Sequence, residues 1–278
     1  MGRRHTGYQM RSPTSWNSLL SPGDATDYFS RRPFPPFDPT ADDFSSANAL
    51  WLAELSRLVY RHDIEEEDPP PRPTRREILE SVGFRQLSFF RSPETETQAM
   101  LVRRVEDPVF AALVFRGTEQ TLKDFVTDLQ MGVEALVSDD VAVHEGFRLA
   151  LDSVWPEIDE ALADLSCPVF FTGHSLGGAL ATLAASRRAP KALYTFGCPR
   201  VGNSRFVKSL DGIPTFRIVD DWDLVTMVPP EVLGFRHGGE LTRVVERSLR
   251  FSLNPVAWLK LMLSPAKRLA DHAPVNYV

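Results

Sequence analysis

The apolar positions of this chain change their spacing along its length. Over residues 1–45 they stand isolated among prolines and polar residues, as in "RRPFPPFDPTADDF", which predicts an extended arm. Phe34, Phe37 and Phe44 give that arm aromatic anchors, so part of it is expected to dock on the domain C-terminal to it. Helical spacing then begins. In "SSANALWLAELSRLVYRH", Trp51, Leu55, Leu58 and Val59 share one helical face, with Ser45 or Ser46 as the N-cap. "DIEEEDPPPRP" reads as a solvated break, and "TRREILESVG" as a short helix ending at Gly83.

Beyond Gly83 the apolar runs shorten to strand length in "RQLSFF", "AMLVRRVE" and "VFAALVF". Helices and strands then alternate. An amphipathic helix over residues 145–165 precedes "PVFFT", a helix after Ser175 precedes "ALYTFG", and a short helix over residues 203–210 precedes "TFRIV". "PVFFT" is apolar without alternation, as in a strand buried on both faces. The alternation predicts an α/β fold with a mostly parallel central sheet flanked by helices. No repeat or second core appears, so residues 46–278 are expected to form a single domain behind the arm.

Composition narrows the function classes. The 278 residues are 43% hydrophobic, enough to bury a sizeable core, and the net charge of -6 offers no footprint for nucleic acid. No run approaches the ~18 apolar residues of a membrane span. Arg3 and Arg4 are not followed by an apolar stretch, so no secretory or twin-arginine signal is read and a cytoplasmic location is expected. "MGRRHT" fits the loose myristoylation pattern at Gly2, a match that short patterns produce by chance. Cys167 and Cys198 allow one bridge, but two buried free thiols are the expectation.

The candidate chemistry lies in "FFTGHSLGGAL". Gly173, Ser175 and Gly177 form G-x-S-x-G between a buried strand and a helix that carries Leu176, Ala179, Leu180 and Leu183 at helical spacing. Such a turn lifts the serine hydroxyl off the sheet, and the helix N-terminus supplies backbone N–H groups suited to an oxyanion. A serine needs a base, and the base an acid. His174 should point away from Ser175 in the turn, which leaves His144, His237 and His272 as candidates. "HEGFR" lacks the second histidine of a zinc H-E-x-x-H site.

Eight segments in order then resemble the class 3, fungal-type lipases: "VFRGT", "DFVTDL", "VHEGF", "TGHSLGGALA", "YTFGCPRVGN", "DLVTMVPP", "GFRHGGE" and "DHAPVNY". The resemblance implies an α/β-hydrolase fold, with Ser175 as nucleophile, Asp223 as acid and His272 as base, in the order Ser, Asp, His. Asp220 and Asp221 stand near Asp223 as competitors, with a solvated strand end as their other reading. Thr118 and Leu176 are implied as the oxyanion hole. His144 and His237 match structural positions and are expected as hydrogen-bonded packing residues. Phe125 stands where the family often has tryptophan, and Cys198 where it has a small polar residue.

The resemblance also makes "TLKDFVTDLQ" a lid, with Leu122, Phe125, Val126 and Leu129 on its apolar stripe. Trp258, Leu259, Met262 and Leu263 are candidates to line an acyl pocket; they suit equally well an anchor for the loop that carries His272. The expected function is ester hydrolysis, most of all of acylglycerols at a lipid–water interface, without metal or organic cofactor. The alternatives are a phospholipase A1, a short-chain carboxylesterase, and a catalytically silent lipid-binding protein.

Overall fold

A computed structural model describes residues 22–30, 33–118, 140–220, 223–244 and 274–278. Among them, seven strands form one sheet in chain order: β1 (Phe84–Arg91), β2 (Gln98–Arg104), β3 (Ala111–Phe115), β4 (Val169–His174), β5 (Ala192–Phe196), β6 (Thr215–Asp220) and β7 (Glu240–Val244). β1, β2 and β3 pair antiparallel, and β3 through β7 pair parallel. The sheet is therefore mostly parallel, flanked by helices, as in an α/β-hydrolase. β7 has no counterpart among the predicted strands. Its pattern of exposed and half-buried residues lacks the apolar run that marks the others.

Side chains alternate across the sheet and feed two cores. Leu113 and Phe115 of β3 join Phe171, Leu180, Leu183, Leu151 and Ile158 on one face. Ala112 and Val114 join Phe170, Leu52, Leu55, Leu58 and Phe216 on the other. This two-sided burial produces the unalternating apolar runs of the central strands.

Helix α1 (Ser46–Leu58) starts where Ser45 accepts a hydrogen bond from the Asn48 amide. Its predicted face is buried, and so are Glu54 and Arg57 on other faces. Residues of the arm cover them. The Phe29 amide donates to Glu54, and Arg57 bridges Glu54 and Asp27. Phe37 stacks on Phe110 at 3.7 Å between ring centroids, and the Trp51 indole donates to the Pro35 carbonyl. Helix α2 (Arg75–Ser81) carries a capping box between Thr74 and Glu77.

The helix predicted over residues 145–165 is two helices, α3 (Glu145–Asp152) and α4 (Trp155–Ala163). Pro156 explains the break: it has no N–H for the Asp152 carbonyl, and it sits at the start of α4, where a missing N–H is tolerated. Helix α5 (Leu176–Arg187) is buried on most of its circumference, beyond the face that carries Ala179, Leu180 and Leu183. Its glycines and alanines let it sink between the sheet and α3. Helix α6 (Ser204–Lys208) is capped by Asn203. Both cysteines are free, but Cys167, in the loop before β4, is only half-buried. Cys198 is enclosed against Gly178, and burial pushes its thiol up to about 12.

Candidate active site

β4 is the middle strand, and the parallel ladder brings Gly173 level with Phe115 of β3 and Thr195 of β5. The chain leaves β4 at His174 and enters α5 at Leu176, with Ser175 alone in between. Ser175 has φ 58° and ψ -127°, a conformation that side chains rarely adopt. The strain is held from both sides. The Ser175 amide donates to the Phe196 carbonyl at 2.9 Å, and the Ser175 carbonyl accepts from the Gly178 amide at 2.9 Å. Ser175 is fully buried, and its hydroxyl has no hydrogen-bond partner among the described residues.

The turn requires its glycines. A Cβ on Gly173 would stand 2.3 Å from the Gly177 carbonyl, and one on Gly177 would stand 2.2 Å from the Phe115 carbonyl. Backbone here packs on backbone. The same contact runs the Arg116–Thr118 segment past the N-terminus of α5, where the first amides have no partner within the helix. Thr118 is half-buried, and Leu176 packs on the core.

Against Gly117 stands Tyr60, which carries no sequence signal. A Cβ on Gly117 would meet the Tyr60 hydroxyl at 2.1 Å and the His174 carbonyl at 2.7 Å. The Tyr60 hydroxyl lies 3.3 Å from His174 Nδ1, so His174 does turn to a partner close to α1. Arg116 lies over the Tyr60 ring and also meets His62 and Gln98.

Asp223 follows β6 and caps the turn Leu224–Met227. It is buried, and both carboxylate oxygens are engaged. Oδ1 accepts from the Val225 amide at 2.9 Å, and Oδ2 accepts from the Tyr277 hydroxyl at 2.6 Å. Its rival Asp220 ends β6, half-buried, with its amide donating to Tyr277. Tyr277 lies within the last motif segment, but no spacing rule marks a tyrosine as partner to a distant aspartate.

Of the histidines, His237 matches its structural expectation. Its Nε2 donates to the Thr226 carbonyl at 2.7 Å, and burial together with the Arg217 charge pushes its pKa down to about 3. His144 packs on Phe147, as expected, at 4.5 Å between ring centroids, while its Nδ1 makes no hydrogen bond among the described residues. Burial lowers its pKa as well. His272, Asp221, the residues expected to form a lid (Leu122, Phe125, Val126 and Leu129) and those expected to line a pocket (Trp258, Leu259, Met262 and Leu263) lie outside the described residues. A groove of about 410 Å³ between β1, β2 and α4 carries none of the expected site residues. Among the described residues no helix is long and apolar enough to cross a membrane.

Known proteins share this geometry's sequence. The family model described as lipase (class 3) matches residues 112–233, which span β3, the serine turn and Asp223. A solved structure described as "a serine protease triad forms the catalytic centre of a triacylglycerol lipase" is 30% identical, has a TM-score of 0.52, and is matched over 60% of this chain and 68% of its own. The chain belongs to the class 3 lipase family. Lipase II from Rhizopus niveus superposes with a TM-score of 0.59 at 27% identity, over 72% of this chain and 82% of its own. A curated lipase of Rhizopus niveus is 38% identical over 144 residues, which cover 46% of this chain and 36% of that protein. The class 3 lipase chain thus aligns with little more than a third of that relative's length.

Proposed function

We propose that this protein is a serine hydrolase of carboxylic esters, acting on acylglycerols as a triacylglycerol lipase. Ser175 is the nucleophile, His272 the general base, and Asp223 the acid that orients the imidazole. The backbone N–H groups of Thr118 and Leu176 hold the oxyanion. The observation that carries this reading is the backbone of Ser175. A buried non-glycine residue at positive φ, at the mouth of α5, with a hydroxyl committed to no other group among the described residues, is strain maintained for a purpose.

In the first step His272 takes the Ser175 proton as Oγ attacks the ester carbonyl carbon. The carbonyl π electrons move to oxygen, where the amides at the start of α5 and at Thr118 meet the charge. Collapse expels the alcohol, which takes the proton from His272, and leaves an acyl-serine. Water, deprotonated by His272, releases the fatty acid and restores the serine. Asp223 lies buried, where a carboxylate would stabilise the transient imidazolium.

Names of relatives support acylglycerols as substrates, and the lid stripe at Leu122, Phe125, Val126 and Leu129 fits action at a lipid–water interface. The test is the initial rate on p-nitrophenyl esters from acetate to palmitate, with Ser175→Ala as the blank. A Ser175-dependent optimum at long chains, with higher rates on emulsions, is expected. An optimum at acetate would make the protein a short-chain carboxylesterase. Wild type equal to the blank at every length would leave a lipid-binding protein without this chemistry.

A further inference from the structure

Tyr277 lies in the turn Pro274–Tyr277, which packs against α1 and the end of β6. Its side chain is buried and reaches three strand ends at once. The hydroxyl donates to Asp223 Oδ2 at 2.6 Å and accepts from the Asp220 amide, at the end of β6, at 3.3 Å. The ring lies 5.7 Å from the ring of His174 at the end of β4, and 5.9 Å from that of Phe196 at the end of β5. His174 directly precedes Ser175, and the Phe196 carbonyl receives the Ser175 amide. One side chain therefore touches the acid, the residue before the serine, and the residue that anchors the serine turn.

We propose that Tyr277 is a positioning residue for hydrolysis, which fixes the Asp223 carboxylate relative to the Ser175 turn through its hydroxyl. The inference rests on the reading of Ser175, His272 and Asp223 as a triad. A phenol has one proton. Because its oxygen already accepts from the Asp220 amide, that proton is directed to Asp223. With Val225 on Oδ1 and Tyr277 on Oδ2, rotation of the carboxylate would break one bond or both. The plane of the carboxylate is thereby set, and with it the orientation in which it meets an imidazole N–H. Burial and the adjacent Asp223 charge hold the phenol well above its usual pKa, so it stays a donor across the working range of a lipase.

The hydroxyl and the ring make separable contributions, and two variants separate them. Tyr277→Phe keeps the ring contacts with His174 and Phe196; Tyr277→Leu removes both. If the hydroxyl positions the acid, Tyr277→Phe lowers kcat by about 10- to 100-fold, the scale of a lost hydrogen bond to a charged group, while KM is unchanged. Its thermal melt stays cooperative. A purely structural tyrosine gives the opposite pattern: Tyr277→Phe turns over like wild type, and only Tyr277→Leu loses activity, together with stability. That result overturns the inference and leaves the hydrolase reading in place. Absence of Ser175-dependent hydrolysis in wild type overturns both. Should Tyr277→Phe fail to fold, the hydroxyl proton is read in wild type with labelled tyrosine. A downfield, slowly exchanging Tyr277 resonance supports the bond to Asp223, and a rapidly exchanging one overturns it.

Discussion

Gly173 and Gly177 face each other across Ser175 so closely that a methyl group on Gly173 would lie 2.3 Å from the Gly177 carbonyl. The obstacle is backbone, which cannot rotate aside as a side chain would. Gly173→Ala is expected to cost about 3 kcal/mol or more of stability, at the upper end of overpacking effects. Urea unfolding checks this. A variant as stable as wild type would mean that β4 and α5 separate easily, and that the turn is not held by close packing.

The positive φ of Ser175 makes a second prediction. Neither glycine nor alanine at this position supplies a nucleophile, so both variants should be inactive. They should differ in stability. Strain at such a residue costs roughly 1–3 kcal/mol, and the extra freedom of glycine in the unfolded chain offsets roughly 0.4–1 kcal/mol of the gain. Ser175→Gly should therefore be more stable than Ser175→Ala by about 1 kcal/mol in a urea melt. Equal midpoints would argue that the turn is relaxed.

Thr118 tests the proposed oxyanion site. Thr118→Ala keeps the amide and removes the hydroxyl. If the hydroxyl helps to hold the oxyanion, kcat should fall roughly 10- to 100-fold with little change in KM, because the contact forms only as charge develops. Steady-state kinetics on a soluble ester measures both constants. Unchanged kcat would restrict the site to backbone donors.

His237 makes stability depend on pH. Its folded pKa of about 3 lies below the ordinary value of 6.5, so the unfolded chain binds a proton that the native state refuses. The contribution is complete above pH 6.5 and is lost as pH falls toward 3. Between pH 6.5 and pH 5 the loss is roughly 2 kcal/mol. Chemical denaturation across that range should show the slope, and His237→Gln should flatten it. An equal slope in the variant would assign the acid sensitivity to other groups.

The α/β fold and the serine turn were legible in the chain itself, for local reasons. The uniform apolar runs of β3, β4 and β5 mark strands covered on both faces, and G-x-S-x-G lies within five residues, where packing demands small side chains. Asp223 was reached through the resemblance to the class 3 lipases. What lay beyond local spacing was decided by tertiary structure. The split between α3 and α4 needed the weight of one proline against a continuous amphipathic pattern. β7 needed the edge of β6 on which it pairs. The burial of Glu54 and Arg57 on α1 depends on arm residues Asp27 and Phe29, and no periodicity links them. Tyr60 and Tyr277 lie more than fifty residues from their partners His174 and Asp223, so only the folded sheet, which draws its strand ends to one edge, gives those hydroxyls a role.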